Sequence, residues 1–275
     1  MLKSPIGISC LLAVYANDND VHLYQAFESI CNQVRPADEI IVVEDGPLST
    51  ALHNVLDSYV QRLPMIRVRL EVNSGLGIAL AAGIKHCSFD LIARMDADDI
   101  ARPERFERQE KKMRDNPDLV LLGSGIEEFV LEPGDLKRFR NAPKIDTDIR
   151  RRARTRNPFN HMSVIFRKES IKIAGGYRDR PGFEDYDLWL RVLKKPGRVE
   201  NLDEVLVDVR VGDRMLSRRR GFRYLRSELS FLLNSQKQGL LSMADMLSAA
   251  FIRIPARLVP ARVLKKVYEL FLRNS

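Results

Sequence analysis

The sequence is short of several things, and each shortage removes a possibility. No window approaches the roughly 18 unbroken apolar residues of a membrane-spanning helix, so no transmembrane segment is expected. The three cysteines, Cys10, Cys31 and Cys87, are an odd number, widely spaced and without a C-x-x-C pair. They do not make a disulfide framework or a paired-thiolate zinc site, and read as reduced core thiols. Aromatic residues are 7% of the chain, few for a protein that would stack bases on a basic surface. Histidine occurs four times, and His22, His53 and His86 fall on expected helices without metal-ligand spacing. The opening "MLKSPIGISCLLAVYANDND" has one Lys and a short apolar run that passes into polar residues rather than a small-residue cleavage site. No secretory signal is expected, and the cytoplasm is the expected compartment. With 45% hydrophobic residues and no low-complexity tract or repeat, the 275 residues suffice for one large domain or a domain with an appendage.

The net charge of +8 and pI near 9.5 point to an anionic partner, whether nucleic acid, a phospholipid surface or a phosphorylated substrate. Order along the chain is more informative. Up to about residue 118, short apolar runs alternate with amphipathic stretches, as in a parallel sheet flanked by helices. "GISCLLAV" (7–14), "EIIVVE" (39–44), "IRVRLEV" (66–72) and "DLIARM" (90–95) read as strands. "DVHLYQAFESICNQ", "LSTALHNVLDSYVQRL" and "GIALAAGIKHC" read as the helices between them, and "PERFERQEKKMRDN" as a further helix opened by Pro. The result is a doubly wound α/β half whose strands bring their C-terminal ends to one edge, where such sheets bind ligands.

From residue 119 the expected order is strand, turn, strand over "LVLLGSGIEEFVLE", then a strand at "MSVIFRK". A helix at "EDYDLWLRVLKK" (184–195), with Leu188, Trp189 and Val192 inward, and a last strand near 205–211 follow. Composition then shifts: residues 210–226 carry seven Arg, and the remainder reads as helical. The expected division is a domain over 1–211, in halves 1–118 and 119–211, and a basic helical extension over 212–275.

Asp45 and the run "DADD" (96–99) both fall at strand ends. Asp96 and Asp98, spaced D-x-D where a strand enters a loop, point roughly one way, and hard oxygen ligands so spaced suit Mg²⁺ or Mn²⁺. From these four residues alone an acidic turn before a helix is the alternative, with Asp99 as a cap.

The surroundings favour the metal. "LIARMDADDIARPERFERQEK" resembles the D-x-D region of family 2 glycosyltransferases, inverting nucleotide-sugar enzymes of the GT-A fold. In the order that family requires, "LLAVYANDNDVHLYQAFESICNQ" resembles its first strand and helix, and "PADEIIVVEDGPLS" its second strand. "VNSGLGIALAAGIKHCSFD" resembles its third helix, and "GGYRDRPGFEDYDLWLRV" the acidic helix start that holds its base. The resemblance spans residues 6 to about 211. It implies a GT-A mixed sheet flanked by helices, and a nucleoside pocket lined by Ala13, Tyr15 and Asp45, with Tyr15 against the base and Asp45 accepting from it. Glu44 stands where many relatives have Asp. Asn73, Gly75 and Arg94 would border the nucleotide, Asp96 would meet ribose or metal, and Asp98 would take the metal. The implied donor is a nucleotide sugar, most often a UDP-sugar. The implied acceptor is a glycan or a lipid-diphosphate-linked glycan, in exopolysaccharide, capsule or lipopolysaccharide synthesis.

The chemistry agrees. A sugar leaving a nucleoside diphosphate leaves negative charge behind, which a divalent cation stabilises, so the leaving group needs no protein acid. The attacking hydroxyl gains from a positioned carboxylate base on the opposite face. Asp185 of "FEDYDLW" is the expected base, with Glu184 as its supporting neighbour, and one base with direct displacement implies inversion. Without the preceding motifs, "EDYDLW" would be an acidic first turn complementing a helix dipole. His161 of "NPFNHMSVIFRK" matches an N-H-x-S-V of relatives, where the imidazole would reach diphosphate or metal; a buried, hydrogen-bonded histidine is the other reading.

Basic stretches remain. In "DIRRRARTRN" (148–157), Arg152 and Arg156 would share a helix face near a diphosphate; a solvated basic helix is the plain alternative. The terminal "RIPARLVPARVLKKVYELFLRNS" sets Val259, Val263, Val267, Leu270 and Phe271 to one side, as a helix lying on an anionic membrane or packed on a protein would. This expects a cytoplasmic protein peripheral to the inner face of the membrane. A nucleotidyltransferase shares the metal and the α/β sheet, but commonly shows a Gly-rich basic loop where this chain has "YANDND". A nucleic-acid binder is motivated by pI alone, and no nucleic-acid partner is expected.

Overall fold

A computed structural model describes residues 6–212 and 221–258. They fall into two compact units, one built from residues of 6–153 and 157–211, the other from 154–156 and the residues after 211.

In the first unit β1 (Ile8–Tyr15), β2 (Glu39–Asp45), β3 (Met65–Leu70) and β4 (Leu91–Arg94) run parallel. Their crossovers are α1 (Asp20–Cys31), α2 (Thr50–Tyr59) and α3 (Leu76–His86). After β4 come β5 (Ile100–Ala101), α4 (Arg105–Asp115), β6 (Leu119–Phe129), β7 (Arg138–Arg140) and α5 (Asp146–Arg152). β8 (Ile165–Arg167), α6 (Lys168–Ile173), α7 (Glu184–Val192) and β9 (Arg198–Arg210) complete the unit. The second unit contains α8 (Gly221–Lys237) and α9 (Met243–Leu258).

The strands form one sheet in the order β3-β2-β1-β4-β8-β6-β9-β5, with β7 on β6. β8 is antiparallel to both β4 and β6, and β9 is parallel to β6. One reversed strand thus restores direction, so β6 and β9 run the same way as β1 to β4 and their C-terminal ends share an edge. Strand alternation sorts the apolar side chains into two layers. Leu12, Val14, Ile40 and Val42 pack with Phe27, Leu56 and Phe106 on one face. Leu11, Ile41, Val43 and Ile92 pack with Leu80, Leu188 and Trp189 on the other.

Helix starts follow capping chemistry. Asn19 accepts from the His22 amide at α1 and Ser49 from the Leu52 amide at α2. α3 has no side-chain cap of its own and starts at Gly75, with φ at 87°.

Two expectations change. Residues 119–129 are one strand, not two around a turn, and β9 begins at Arg198 rather than near 205. The β6–β9 register shifts around Gly123 and Gly125, and a Cβ on Gly123 would lie 2.1 Å from Asn201 Oδ1. These glycines admit a close cross-strand neighbour at bulges, a use of Gly that reads in sequence like a turn. Arg156 also lies beyond α5, which stops at Arg152, so Arg152 and Arg156 do not share a helix face.

Gly77 lets α3 lie against the segment that enters α7: a Cβ there would sit 2.3 Å from the Arg178 carbonyl oxygen and 3.3 Å from Glu184 Cβ. Backbone cannot retreat as a side-chain tip can. Gly77→Ala should destabilise the protein by about 1–3 kcal/mol through overpacking. A lower urea midpoint would register this, and an unchanged midpoint would show that the helix shifts freely.

Candidate active site

At the shared edge the loop after β4 gathers acids. One carboxylate oxygen each from Asp96, Asp98 and Asp99 lies within 4.8 Å of the others. Asp99 caps no helix: α4 starts at Glu104 without a side-chain cap. Its Oδ1 instead accepts from the Arg210 amide at 2.9 Å, and its buried Oδ2 has no hydrogen-bond partner. Burial, then the charge of Asp96, pushes Asp98 up to about 6. Asp99 is raised well above the carboxylate range by burial and by both neighbours. Asp96 thus raises Asp98, and both raise Asp99, whose buried oxygen is orphaned; the three form a donor set that fits a hard divalent cation.

On the α3 face of the sheet the ends of β1 and β2 bring Ala13, Tyr15 and Asp45 to one side, because they share the strand parity of Leu11 and Val43. Asp45 organises the next crossover. Its Oδ1 accepts from the Ser74 amide at 2.7 Å and its Oδ2 from the Gly75 amide at 3.0 Å, while Asn73 Nδ2 donates to the Asp45 carbonyl at 3.2 Å. Asp45 therefore supplies from β2 the cap that α3 lacks. The structure thus brings Ala13, Tyr15, Asp45, Asn73 and Gly75 together.

Glu44 is the correction. It has the opposite parity, faces α2, and accepts from Arg67 Nε at 2.6 Å and Arg69 Nε at 3.2 Å, with His53 Nδ1 at 3.7 Å. Burial raises its pKa, but hydrogen bonds and charge from Arg67 and Arg69 prevail and hold it below the usual value. An ion-pair cluster occupies this carboxylate, on the far side of the sheet from Tyr15 and Asp45.

Arg94, the last residue of β4, is 1% exposed. Its Nη2 donates to Asp96, whereas Nε and Nη1 are buried without partners. Burial works against the charge, and Asp96 with Tyr177 and Asp99 more than offsets it, so the guanidinium stays protonated. Its charge also reaches His161, Tyr177 and Glu184. His161 Nε2 pairs with the Tyr177 hydroxyl at 2.8 Å, and burial with Arg94 lowers its pKa well below the ordinary value, leaving a neutral imidazole. It is not among the three clustered metal-ligand candidates. Trp189 is packing, fully buried with Phe159, His161, Phe166 and Tyr177 around it.

Asp185 and Glu184 open α7. Asp185 Oδ2 accepts from Asn157 Nδ2 at 2.5 Å, and its Oδ1 from the Tyr186 amide at 2.7 Å. Asp187 turns inward to a buried pair with Arg191, whose Nη1 donates to the Ala174 carbonyl and ties α7 to the end of α6. In α5, Arg150 and Arg151 pair with Asp146 and Asp148 of the same helix.

Comparison with known proteins assigns this edge. Residues 13–172 match Glycosyl transferase family 2. The chain belongs to that family. The glycosyltransferase is 40% identical over 263 residues, 95% of this chain and 97% of the relative, to the amylovoran biosynthesis glycosyltransferase AmsE of Erwinia amylovora. It is 35% identical over 266 residues, covering 97% of this chain and 96% of the relative, to an Escherichia coli UDP-Gal:alpha-D-GlcNAc-diphosphoundecaprenol beta-1,3-galactosyltransferase. In fold it resembles S. aureus TarS: TM-score 0.68 at 15% identity over 94% of this chain, which spans 46% of that TarS chain. TarS 1–349 in complex with UDP-GlcNAc gives 0.66 at 17%, covering 84% of this chain and 67% of that one. The mixed sheet flanked by helices is a GT-A fold, and the enzyme is a transferase of glycosyl groups.

Three residues of this edge escaped the sequence reading. Arg210, at the end of β9, donates through its amide to Asp99, through Nε to the Asp98 carbonyl and through Nη2 to Gln25 Oε1, and lies over Phe129. Nothing local marks it, since β9 meets this loop across 112 residues of chain. Asn157 and Tyr177 lay inside quoted motifs, but which polar group each would meet depends on the fold.

Glu184 is pushed from 4.5 up to about 7, first by burial and then by Asp185. The folded state therefore binds its proton more tightly than the unfolded chain. The resulting stability is complete below about pH 4.5 and is lost as pH rises through about 7. Glu184→Gln stays neutral, so it should gain on wild type between about pH 4.5 and 8, by on the order of 1–2 kcal/mol given its partial exposure. Thermal unfolding at both pH values should show a gap of a few degrees opening only at the higher one. Equal shifts at both would mean that Glu184 is not held as a buried acid.

Proposed function

We propose that this glycosyltransferase moves a sugar from a UDP-sugar to a lipid-diphosphate-linked glycan acceptor in surface polysaccharide synthesis, with metal dependence and inversion at the anomeric carbon. The observation that carries the reading is the pair of acidic groups at one sheet edge, Asp96, Asp98 and Asp99 after β4 and Glu184 and Asp185 opening α7, both in the field of buried Arg94. Relatives supply the substrate class. The E. coli protein is named for UDP-Gal and a diphosphoundecaprenol-linked sugar, AmsE for amylovoran synthesis, and TarS 1–349 has been solved with UDP-GlcNAc.

In this reading Ala13, Tyr15 and Asp45 border the nucleoside, and the α3 start held by Asp45 through Ser74 and Gly75 shapes that pocket. Asp96, Asp98 and Asp99 would hold Mn²⁺ or Mg²⁺, which when bound neutralises charge developing on the diphosphate. Arg94 adds fixed positive charge on the same side, with two guanidinium nitrogens still to be satisfied. Asp185, oriented by Asn157, takes the acceptor hydroxyl proton as that oxygen bonds the anomeric carbon. The bond from that carbon to the diphosphate oxygen breaks, and its electron pair leaves with UDP. Burial and then the charge of Asp185 disfavour ionisation of Glu184 beside it, so a second negative charge there is disfavoured. Among the described residues no helix is long and apolar enough to cross a membrane, and a peripheral enzyme at the cytoplasmic face suits a lipid-linked acceptor.

The test separates binding from transfer. Asp98→Ala should lose Mn²⁺-dependent stabilisation by UDP in a thermal-shift assay together with turnover. Asp185→Asn should keep the UDP shift and lose roughly 10²–10⁴-fold in transfer, the usual size of general-base catalysis. Wild-type transfer by Asp185→Asn would sink the base assignment, and full activity in excess EDTA would sink the metal.

A further inference from the structure

The second unit carries the charge that composition only sums. Residues 212–275 contain 13 Lys and Arg against 4 Asp and Glu, a net of +9, whereas residues 1–211 contain 32 against 33, a net of −1. The excess of the whole chain resides in the residues after 211.

Its helices also leave an apolar face bare. On α9, Met243, Leu247 and Phe251 recur every four residues and are 54%, 59% and 84% exposed. Ala244, Ser248 and Ile252 are exposed as well, so every exposed side chain described on this helix is uncharged. On α8 the exposed Phe222, Arg226, Leu229, Ser230, Leu233 and Lys237 fall at helical spacing, apolar and basic with no acid among them. Neither of the two described acids on these helices lies on the exposed face: Glu228 is fully buried and paired with Arg253 at 2.5 Å, and Asp245, half-buried in the first turn of α9, accepts from the Ser242 hydroxyl at 2.7 Å. An ordinary soluble helix shows water a charged face; this pair shows apolar side chains fringed by cations.

We infer that the α8–α9 hairpin is the surface by which the protein seats on an anionic lipid bilayer, with Met243, Leu247 and Phe251 entering the headgroup boundary and Arg226 and Lys237 meeting lipid phosphates. Charge selects this occupant. A second copy would bring one strongly basic unit against another, nucleic acid would meet a bare apolar stripe, and an anionic interface satisfies both features at once. The terminal helix expected from sequence to lie on a membrane or a protein falls largely on residues 259–275, outside the described residues. The inference does not rest on the glycosyltransferase reaction.

The experiment uses the full chain with vesicles of phosphatidylglycerol and phosphatidylethanolamine, and with vesicles of phosphatidylcholine alone. Wild type should co-sediment with the first and at least tenfold less with the second, and rising salt should release it. The triple variant Met243→Ser, Leu247→Ser, Phe251→Ser should lose at least tenfold in partition with unchanged circular dichroism. Arg226→Glu with Lys237→Glu should lose the preference for anionic lipid. UDP thermal shift on the same preparations should not move, which separates this result from the fate of the proposed donor. Undiminished partition of the triple variant would overturn the inference. So would a dimer in light scattering that the triple variant abolishes while lipid binding persists, since that would give the face to self-association.

Discussion

The working edge is governed by one electrostatic arrangement: carboxylates from two chain segments surround the buried guanidinium of Arg94, which pairs with only one of them. Arg94 reaches Asp96 and leaves two nitrogens unsatisfied, while Asp99 keeps a buried oxygen without a partner. A buried polar group left unpaired costs folding free energy, on the order of 1–3 kcal/mol each. The arrangement therefore opposes stability and is intelligible as preparation for charges that arrive with substrate. Groups already aimed and desolvated need no reorganisation when diphosphate charge develops.

The scaffold absorbs that cost by fixing each contributor from behind. The reversed strand β8 lets β6 and β9 return to the same edge, so Arg210 at the end of β9 can grip the amide side of the acidic loop. Asp45 closes the start of α3, and Gly77 then allows α3 to approach the segment leading to Glu184. Beneath them Trp189 and its aromatic neighbours fill the layer that carries α7, and the buried Asp187–Arg191 pair fastens that helix to α6. Few of these supports touch any expected substrate position. They convert a loop of mutually repelling acids into one with a defined geometry.

The legible parts of the sequence were those written in local periodicity. The four parallel strands and three crossovers stood out because buried strands read as unbroken apolar runs and their helices as amphipathic ones. The acid clusters stood out as residue types at strand ends. Direction was less accessible. Glu44 and Asp45 are neighbours in sequence and belong to opposite faces, and strand parity separates them only once the register is known. The glycines of "LLGSGI" resembled a turn because a bulge and a turn use the same residue for different steric reasons. Asp99 resembled a cap because its partner, the Arg210 amide, lies far along the chain.

Charge distribution completes the picture, and it localises what the pI only summed. A basic composition pointed to an anionic partner without choosing one, and residues 1–211, which hold the site, are almost neutral overall and locally acidic where the chemistry is expected. Most of their arginines are committed to partners: Arg67 and Arg69 to Glu44, Arg102 to Glu127 and Asp208, Arg191 to Asp187. An arginine so paired contributes little long-range field, because the carboxylate beside it cancels the charge within a Debye length. In the final 64 residues 13 Lys and Arg stand against 4 Asp and Glu, too few acids to cancel that charge. Net charge in this chain therefore describes the residues after 211, and under the proposed function and the inferred docking surface, attraction to an anionic surface and recognition of an anionic donor are separate physical tasks assigned to separate stretches of sequence.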